Sequence, residues 1–427
     1  MPNSLLTINM ITREAVRLWK NSNAFIQHVD MQYDDNFAKS GAKIGSALRI
    51  RLPNDFTVRS GPAAQVQDTA EQSTSLVLAT QKGVDVSFNS VDRTMSLDDF
   101  SRRVLAPMVN NLCGSVAADV MSGVDSGGTN GAGICNYTQN GVQSADGAYA
   151  TLTTSPVAQT FLTAGAYLKQ NSAPMDAWKM ILDPITESRT VAGLAGLFNP
   201  SPKISEQYKT GKMASDTLGF DWYMDQTVVS HTGGTYNGAL TVNGANQTGL
   251  AITTNANGTG TLVVGDIVTF GTGALSTDVH MVNRITKVST GQLRQFVVTA
   301  ANLTSSATTL NIYPALIPFG TGSVQQQYQT VDNSPINGAQ INIVNPASTT
   351  YRKNFGFAPE AVTMATADLI MPTKGVEESA REQFDGVAMR MLTAYIPGTD
   401  QLITRLDVLY GYLWVRPEWA CIVADIV

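Results

Sequence analysis

The residue types that most often carry out catalysis are sparse in this chain. It has three histidines, His28, His231 and His280, and each lies in a different segment. A hydrolase must bring a serine or cysteine nucleophile, a histidine and a carboxylate together, and a zinc site needs several closely placed ligands. The sequence has spacing typical of neither site. We therefore expect no catalytic residues, no metal and no cofactor.

The cysteines and glycines also show no pattern typical of a zinc site or a phosphate-binding loop. Cys113, Cys135 and Cys421 are odd in number and far apart, which predicts buried thiols rather than disulfides or a zinc site. The segment DSGGTNGAG at 125–133 is rich in glycine, but no Lys-Ser/Thr pair follows it and it comes after a predicted helix. A phosphate-binding loop needs that pair and a strand-to-helix turn, so we interpret the segment as a helix stop.

Charged side chains in two segments are better candidates for contacts between subunits. Arginines lie along an alternating strand pattern at 43–58, and the polar stretch that follows has little core of its own. Such a loop usually packs on another copy, so we expect its arginines to pair with acids at 377–385 of a neighbour. The alternative is solvated charges, each worth under about 1 kcal/mol. The candidate contact residues are Arg49, Arg51, Arg59, Glu71, Glu377, Glu378 and Asp385.

Composition narrows the class of protein. A chain of 427 residues with 43% hydrophobic residues predicts two or three domains with sizeable cores. The net charge of −6 disfavours broad binding to nucleic acid or anionic membranes. No stretch approaches the roughly 18 apolar residues of a membrane helix, and the first residues lack the pattern of a secretory signal. We expect a soluble protein made in the cytoplasm of some cell.

Residues 231–347 differ sharply from the rest of the chain. This block of 117 residues has only six charged side chains and is rich in Gly, Thr, Asn and Ser. Short β-branched runs recur between turn residues, which is typical of a small barrel or sandwich. We interpret the block as an all-β domain inserted into a host domain. Its predicted strands are at 250–254, 261–264, 266–270, 279–288, 293–300 and 308–317.

The host on both sides of this block is predicted to be α+β. Helical periodicity marks 11–27, a long helix from Ser96 to about Val120 that Pro107 should kink, 156–174, 185–198 and Pro359–Asp368. A flexible loop is expected at 375–386, and the final residues 419–427 predict a strand buried on both faces. Further strands are predicted at 43–58, 76–88, 178–182, 219–221, 389–397 and 403–415.

At this point the sequence resembles the major capsid proteins of tailed bacteriophages, whose shared fold is named after phage Hong Kong ninety-seven. The order of elements, with a β-domain inserted after Gly219-Phe220-Asp221, is similar in particular to coat proteins of short-tailed phages that carry an inserted β-barrel. The matching segments are KIGSALRIRLP, the helix Ser96–Val120, Gly219-Phe220-Asp221, RKNFGFAPEAVTMAT and RLDVLYGYLWVRPEWACIVA.

The resemblance implies a domain plan for the chain. It comprises an N-terminal arm, 1–36; an extended β-loop, 37–86; a peripheral domain with the spine helix, 87–135; a first axial part, 136–230; the inserted β-domain, 231–347; and an axial and peripheral return, 348–427. Some members of the fold cross-link subunits through lysine. Lys39, Lys43, Lys82 and Glu71 lie in or beside the loop, but the interpretation as ordinary solvated or interfacial charges is favoured.

The resemblance also implies a structural function without catalysis. The chain would assemble into pentamers and hexamers of an icosahedral head, with a scaffolding protein and a portal as partners, and would enclose double-stranded DNA without sequence-specific contacts. It would be assembled in the bacterial cytoplasm, remain in the virion and contact no membrane. The alternatives are an encapsulin-like nanocompartment shell protein and an enzyme with a β-rich accessory domain.

Overall fold

The computed structural model of the chain describes residues 8–31, 47–59, 61–64, 66–67, 72–89, 104–123, 133–141, 143–149, 157–175, 178–194, 217–272, 277–300, 308–319, 326–372, 374–384, 386–398 and 401–426. The contacts divide the chain into two compact units. The first comprises Met1–Ile50, Ser75–Val120 and Val362–Leu413, and the second comprises Arg51–Thr74, Met121–Ala361 and Trp414–Val427.

Two α-helices belong mainly to the first unit. Helix α1, Ile8–Ser22, buries Trp19 and exposes Arg13 and Arg17, as its amphipathic pattern predicts. Helix α2, Ala106–Ser122, buries Val109, Leu112 and Val116 along one stripe. Pro107 is the second residue of α2 and directly follows a π-helical turn at 104–105. The kink at Pro107 stays a prediction, because the predicted helix before residue 104 lies outside the described residues. The predicted Ser96 cap lies outside the described residues.

The first unit has a five-stranded sheet made of β3, Thr80–Asn89; β17, Val362–Ala367; β18, Glu378–Phe384; β19, Val387–Ile396; and β20, Gln401–Trp414. The order is β17-β20-β19-β18, and β3 also pairs with β20. Strands β1, Ala47–Arg51, and β2, Ser73–Val77, form a separate two-stranded sheet at the base of the predicted loop.

Two predictions for the return segment were wrong. The predicted helix at Pro359–Asp368 is a 3-10 turn, Pro359–Ala361, followed by β17. Its Glu, Ala and Met residues have good helix propensity, but pairing with the long strand β20 overrides that weak preference. The predicted loop at 375–386 contains β18, which pairs in register with β19 from Glu378 to Phe384. The charged residues Glu378, Arg381 and Glu382 made the segment resemble a loop, although Ala380 between them is buried.

The second unit is built around a mixed sheet whose strands come from distant parts of the sequence. Its order is β4-β21-β16-β5-β6, with β7 also paired to β16. Strand β21 lies between β4 and β16 and is buried from Ala420 to Asp425, as its apolar run predicts. The strands are β4, Asn136–Gln139; β5, Lys179–Leu182; β6, Asp221–Met224; β7, Ser230–Thr232; β16, Thr350–Phe357; and β21, Ala420–Ile426.

Two helices in the second unit match the sequence prediction. They are α3, Ala158–Gln170, and α4, Pro184–Leu194. Helix α3 contributes Phe161 to an aromatic core in which the rings of Phe161 and Trp222 meet edge to face at 4.8 Å. Such a pair adds about 0.5–1.5 kcal/mol beyond the area that it buries. Among the described residues, no helix is long and apolar enough to cross a membrane.

The charge-poor block is β-rich, as predicted. Its six-stranded sheet has the order β15-β10-β13-β14-β9-β8, and β11 and β12 form a hairpin. The core contains the edge-to-face pair Phe270 and Phe296. The run at 261–264 is not a strand, because it turns to bring Asp266 under the backbone N–H of Val263. The strands are β8, Asn237–Val242; β9, Gly249–Thr259; β10, Ile267–Phe270; β11, His280–Val282; β12, Ser289–Leu293; β13, Phe296–Ala300; β14, Thr308–Leu316; and β15, Ile341–Ile343.

Candidate functional site

The segment that follows β1 exposes large apolar side chains. Phe56 is 61% exposed, Val58 95% and Val66 91%. The side-chain amide of Gln67 donates to Thr57 O at 2.6 Å and its oxygen accepts from Thr57 N at 2.9 Å, so these two parts of the segment are joined. Apolar surface left in water is typical of an interface, since burying it against a partner would be favourable.

The predicted contact residues lie where a neighbour could reach them. Arg49 and Arg51 are exposed on one face of β1, while Ile50 between them is buried. Arg59 is exposed and donates to Gly61 O. Glu377 and Glu378 are exposed beside and at the start of β18. Glu71 and Asp385 lie outside the described residues.

The two ends of the charge-poor block meet at one buried carboxylate. Asp266 is fully buried and accepts hydrogen bonds from Gly234 N at 3.2 Å and Asn345 Nδ2 at 2.9 Å, one from each end of the block. Backbone bonds reinforce this junction, because Gly233 N donates to Thr349 O at 3.1 Å and Ser348 N donates to Gly233 O at 3.2 Å. Entry and exit are therefore adjacent, as an insertion in a host domain requires.

A second polar cluster joins this block to two other segments of the second unit. Arg284 Nε lies 3.1 Å from Asp55 Oδ2 in the segment after β1, and Arg284 NH1 lies 3.4 Å from Glu418 Oε1 before β21. Tyr313 Oη donates to Glu418 Oε2 at 3.2 Å. Arg284 thus contacts one acid at the base of the loop and one in the return segment.

Sequence reasoning missed Arg284, although the composition contained a signal. The block has only six charged residues, and in the structure none of the six is exposed. Isolated charges in a block that otherwise avoids them were therefore the residues to examine. They are Asp266, Asp278, Arg284, Lys287, Arg294 and Asp332.

Comparison with known proteins identifies the family. Residues 139–423, which are 285 of the 427 residues, match the family described as P22 coat protein - gene protein 5. The chain belongs to the P22 coat protein family. The family match and the mixed helix and strand content confirm the predicted tailed-phage major capsid protein with an α+β capsid fold.

Solved structures of phage capsids and related particles are similar to this coat protein over most of its length. One of them is from Mycobacterium phage Che8. It has 10% sequence identity to this chain, the match covers 94% of this chain and 90% of that chain, and the TM-score is 0.42. The capsid of Ralstonia phage GP4 has 7% sequence identity to this chain. The match covers 92% of this chain and 86% of that chain, with a TM-score of 0.44. The capsid of an empty GTA particle has 9% sequence identity to this chain. The match covers 100% of this chain and 95% of that chain, with a TM-score of 0.39. No curated protein sequence matches the chain.

Two of the three histidines of the coat protein lie beside carboxylates. His280 Nδ1 lies 2.8 Å from Asp332 Oδ2, and Ser289 Oγ donates to the same oxygen at 2.8 Å. A catalytic triad requires the serine to hydrogen-bond to the histidine, whereas here both bond to the carboxylate. His231 Nε2 lies 3.3 Å from the buried Asp266, where the two ends of the charge-poor block meet. These contacts link His280 of β11 and Ser289 of β12 through Asp332, and His231 of β7 to Asp266.

A lysine considered for cross-linking and several aromatic residues near the end of the chain have contacts within the subunit. Lys82 Nζ donates to Ser115 O at 3.0 Å and lies 3.7 Å from Asp119 Oδ2 on α2. Lys39, Lys43 and the glycine-rich segment at 125–132 lie outside the described residues. Tyr410, Tyr412 and Trp414 are buried. Trp419 is half-buried, and Arg416 stacks on its ring at 4.6 Å.

Proposed function

We propose that the chain is the shell subunit of a phage head, assembling into pentamers and hexamers that enclose double-stranded DNA. Membership of the P22 coat protein family supports a capsid role. The observation that supports the assembly proposal is the exposure of Phe56, Val58 and Val66 in the segment after β1. A monomer gains nothing from this exposure, whereas a closed shell offers every copy the same complementary surface.

The charge of the subunit fits an inert container. A net charge of −6 does not favour tight binding of a polyanion, so packaged DNA would contact the wall without sequence-specific recognition. The proposed partners in assembly are a scaffolding protein and a portal. The proposed place of assembly is the bacterial cytoplasm. We propose no catalytic step. The domain plan, including the insertion of residues 231–347, is part of this proposal, and the adjacent ends of the insert support it.

Electron microscopy of the chain expressed alone and with a scaffolding partner tests this proposal directly. We expect closed shells, and only small discrete oligomers under both conditions would contradict it. DNA-filled particles would separate a phage capsid from an encapsulin-like nanocompartment, which would contain protein cargo instead. Turnover of a substrate by isolated subunits would favour the third interpretation, an enzyme.

Charge reversal at Arg51 tests the predicted contact surface. Because Arg51 is exposed on β1, Arg51→Glu should leave the subunit soluble and folded by circular dichroism. It should lower the yield of shells at least about tenfold, since a misplaced charge at a repeated interface costs several kcal/mol. Shell yield is measured by sedimentation.

Lys169→Glu is the matched control. Lys169 is exposed at the end of α3, so the reversal makes the same change in net charge outside the loop. Shells should form normally from this variant. Normal shell formation by Arg51→Glu would remove Arg51 from the interface.

A further inference from the structure

An open cleft of about 240 Å³ in the second unit has an unusual charge distribution. Four cationic side chains line it, against two carboxylates. Three of the cations belong to the inserted block, and the fourth lies just before β21. One acid follows β1, and the other also lies just before β21. The charged lining residues are Arg284, Lys287, Arg294, Arg416, Asp55 and Glu418.

Arg284 contacts both carboxylates, and the other three cations contact neutral groups within the described residues. Lys287 Nζ donates to Gln327 O at 2.8 Å, and Arg294 NH1 donates to Asn171 Oδ1 at 3.2 Å. Arg416 stacks on the Trp419 ring. The Nε of Arg294 has no hydrogen-bond acceptor in the described part of the chain, although Arg294 is only 7% exposed.

Burying uncompensated cations is unfavourable, and the side chains of the cleft reflect this. Burial lowers the pKa of Lys287, and the nearby Arg284 lowers it further while Asp55 opposes the shift. Burial and Arg284 likewise lower the pKa of Arg416, while Glu418 and Asp55 oppose the shift without cancelling it. The thiol beside Arg294 supplies no negative charge, because burial raises the pKa of Cys135 to about 11. A counter-anion would stabilise all three cations.

We propose that this cleft is a binding site for an oxyanion, a phosphate or carboxylate group held by Lys287, Arg294 and Arg416. Guanidinium groups present paired donors that suit the oxygens of either group. Arg294 Nε is a buried donor without an acceptor in the described part of the chain, so an oxygen that reached it would satisfy a donor that the fold leaves unused. Two sources can supply the same chemistry: a free anion in solution, or an acidic side chain of a second copy of the chain.

Thermal unfolding of the dissociated full-length subunit tests the site without any assembly. The midpoint is compared in sodium phosphate and in sodium chloride at equal pH and ionic strength. We expect phosphate to raise the midpoint by at least about 2 °C, saturating with concentration, because a ligand that binds only the folded state stabilises it. Equal midpoints in the two salts would overturn the proposal.

Substitutions separate binding from the general stabilisation that phosphate gives to many proteins. Arg294→Met should abolish the phosphate-specific rise, and Lys287→Met provides the same test if the first variant does not fold. Arg352→Met is the matched control, since Arg352 is a half-buried arginine of the same unit outside the cleft, and it should retain the full rise. A rise that persists in Arg294→Met and Lys287→Met would contradict the site.

Phosphorus NMR on assembled particles then identifies the natural source. Only this source assignment depends on the proposed function, because the preceding measurements use subunits. If phosphate binds the subunit but not the particle, a neighbour's carboxylate occupies the cleft in the shell. If phosphate binds both, the ligand is a free anion. Either result supports an oxyanion site.

Discussion

Lys353 in β16 lies in the fully buried part of the second unit, at 1% exposure. Burial lowers its pKa from 10.5 to about 7, because the charged ammonium loses its hydration. The buried Asp266 accepts hydrogen bonds from Gly234 N and Asn345 Nδ2. At the scale of single residues, burial alone changes the charge state that the fold favours.

The shifted pKa of Lys353 predicts a pH dependence of stability. Between about pH 7 and 10.5 the unfolded chain binds the lysine proton and the folded chain does not, so unfolding takes up a proton and the free energy of unfolding rises with pH. We expect a contribution of about 1 kcal/mol from pH 7 to pH 8. Urea unfolding of the dissociated subunit across this range measures it.

Lys353→Met should remove that contribution and raise stability at pH 7. Lys179→Met is the control, because the Asp221 carboxylate 2.7 Å away holds the pKa of Lys179 above its ordinary value despite partial burial. The control should retain the rise between pH 7 and pH 8. An unchanged slope in Lys353→Met would contradict the assignment.

Elements show how pairing overrides local sequence signals. Gly258 belongs to a Gly-Thr-Gly repeat that suggests a turn, yet it lies within β9 opposite Gly238 of β8. A Cβ at Gly258 would press on Asn237 O and lie 2.8 Å from Gly238 Cα. Glycine inside a strand often marks such a close backbone approach. Here it allows the first hairpin of the insert to form.

Gly258→Ala should therefore destabilise the insert. We expect a loss of about 1–3 kcal/mol, the usual cost of overpacking, because backbone atoms rather than a flexible side chain must move. Urea unfolding followed by tryptophan fluorescence provides the measurement. Gly398→Ala, where a Cβ would meet no atom within 4 Å, should change stability little. Equal stabilities of the two variants would show that the hairpin can relax.

For the whole molecule, the inserted block is an integral part of the second unit. Gln295 Oε1 accepts from Tyr137 N at 2.7 Å and its Nε2 donates to Tyr137 O at 3.1 Å, so the insert covers the backbone of the edge strand β4. Arg284 adds its contacts with Asp55 and Glu418. Removal of the block would leave strand edges and carboxylates without these partners.

Excision of residues 231–347, with a short linker joining 230 to 348, should lower the refolding yield and alter the size of assembled particles. Light scattering and electron microscopy measure both quantities. Gln295→Ala is a milder companion that leaves the block in place, and it should lower the yield less. Unchanged yield and particle size after excision would refute a role of the block in assembly and leave it as a separate module.

The sequence alone determined the kind of protein and most of its elements. Apolar periodicity located α1, α3, α4 and β21, because these segments bury a face that their own pattern defines. The sharp loss of charge marked the β-rich block, and the spread of motifs indicated a capsid family that the match over residues 139–423 confirms.

Only the tertiary structure decided what depends on contacts between distant residues. β17 and β18 are strands because β20 and β19 pair with them, although their own residues suggest a helix and a loop. The Arg284 cluster joins residues 55, 284 and 418. A local sequence pattern cannot predict these contacts. The sequence shows the type and spacing of each charged residue but not which distant residue the fold places beside it.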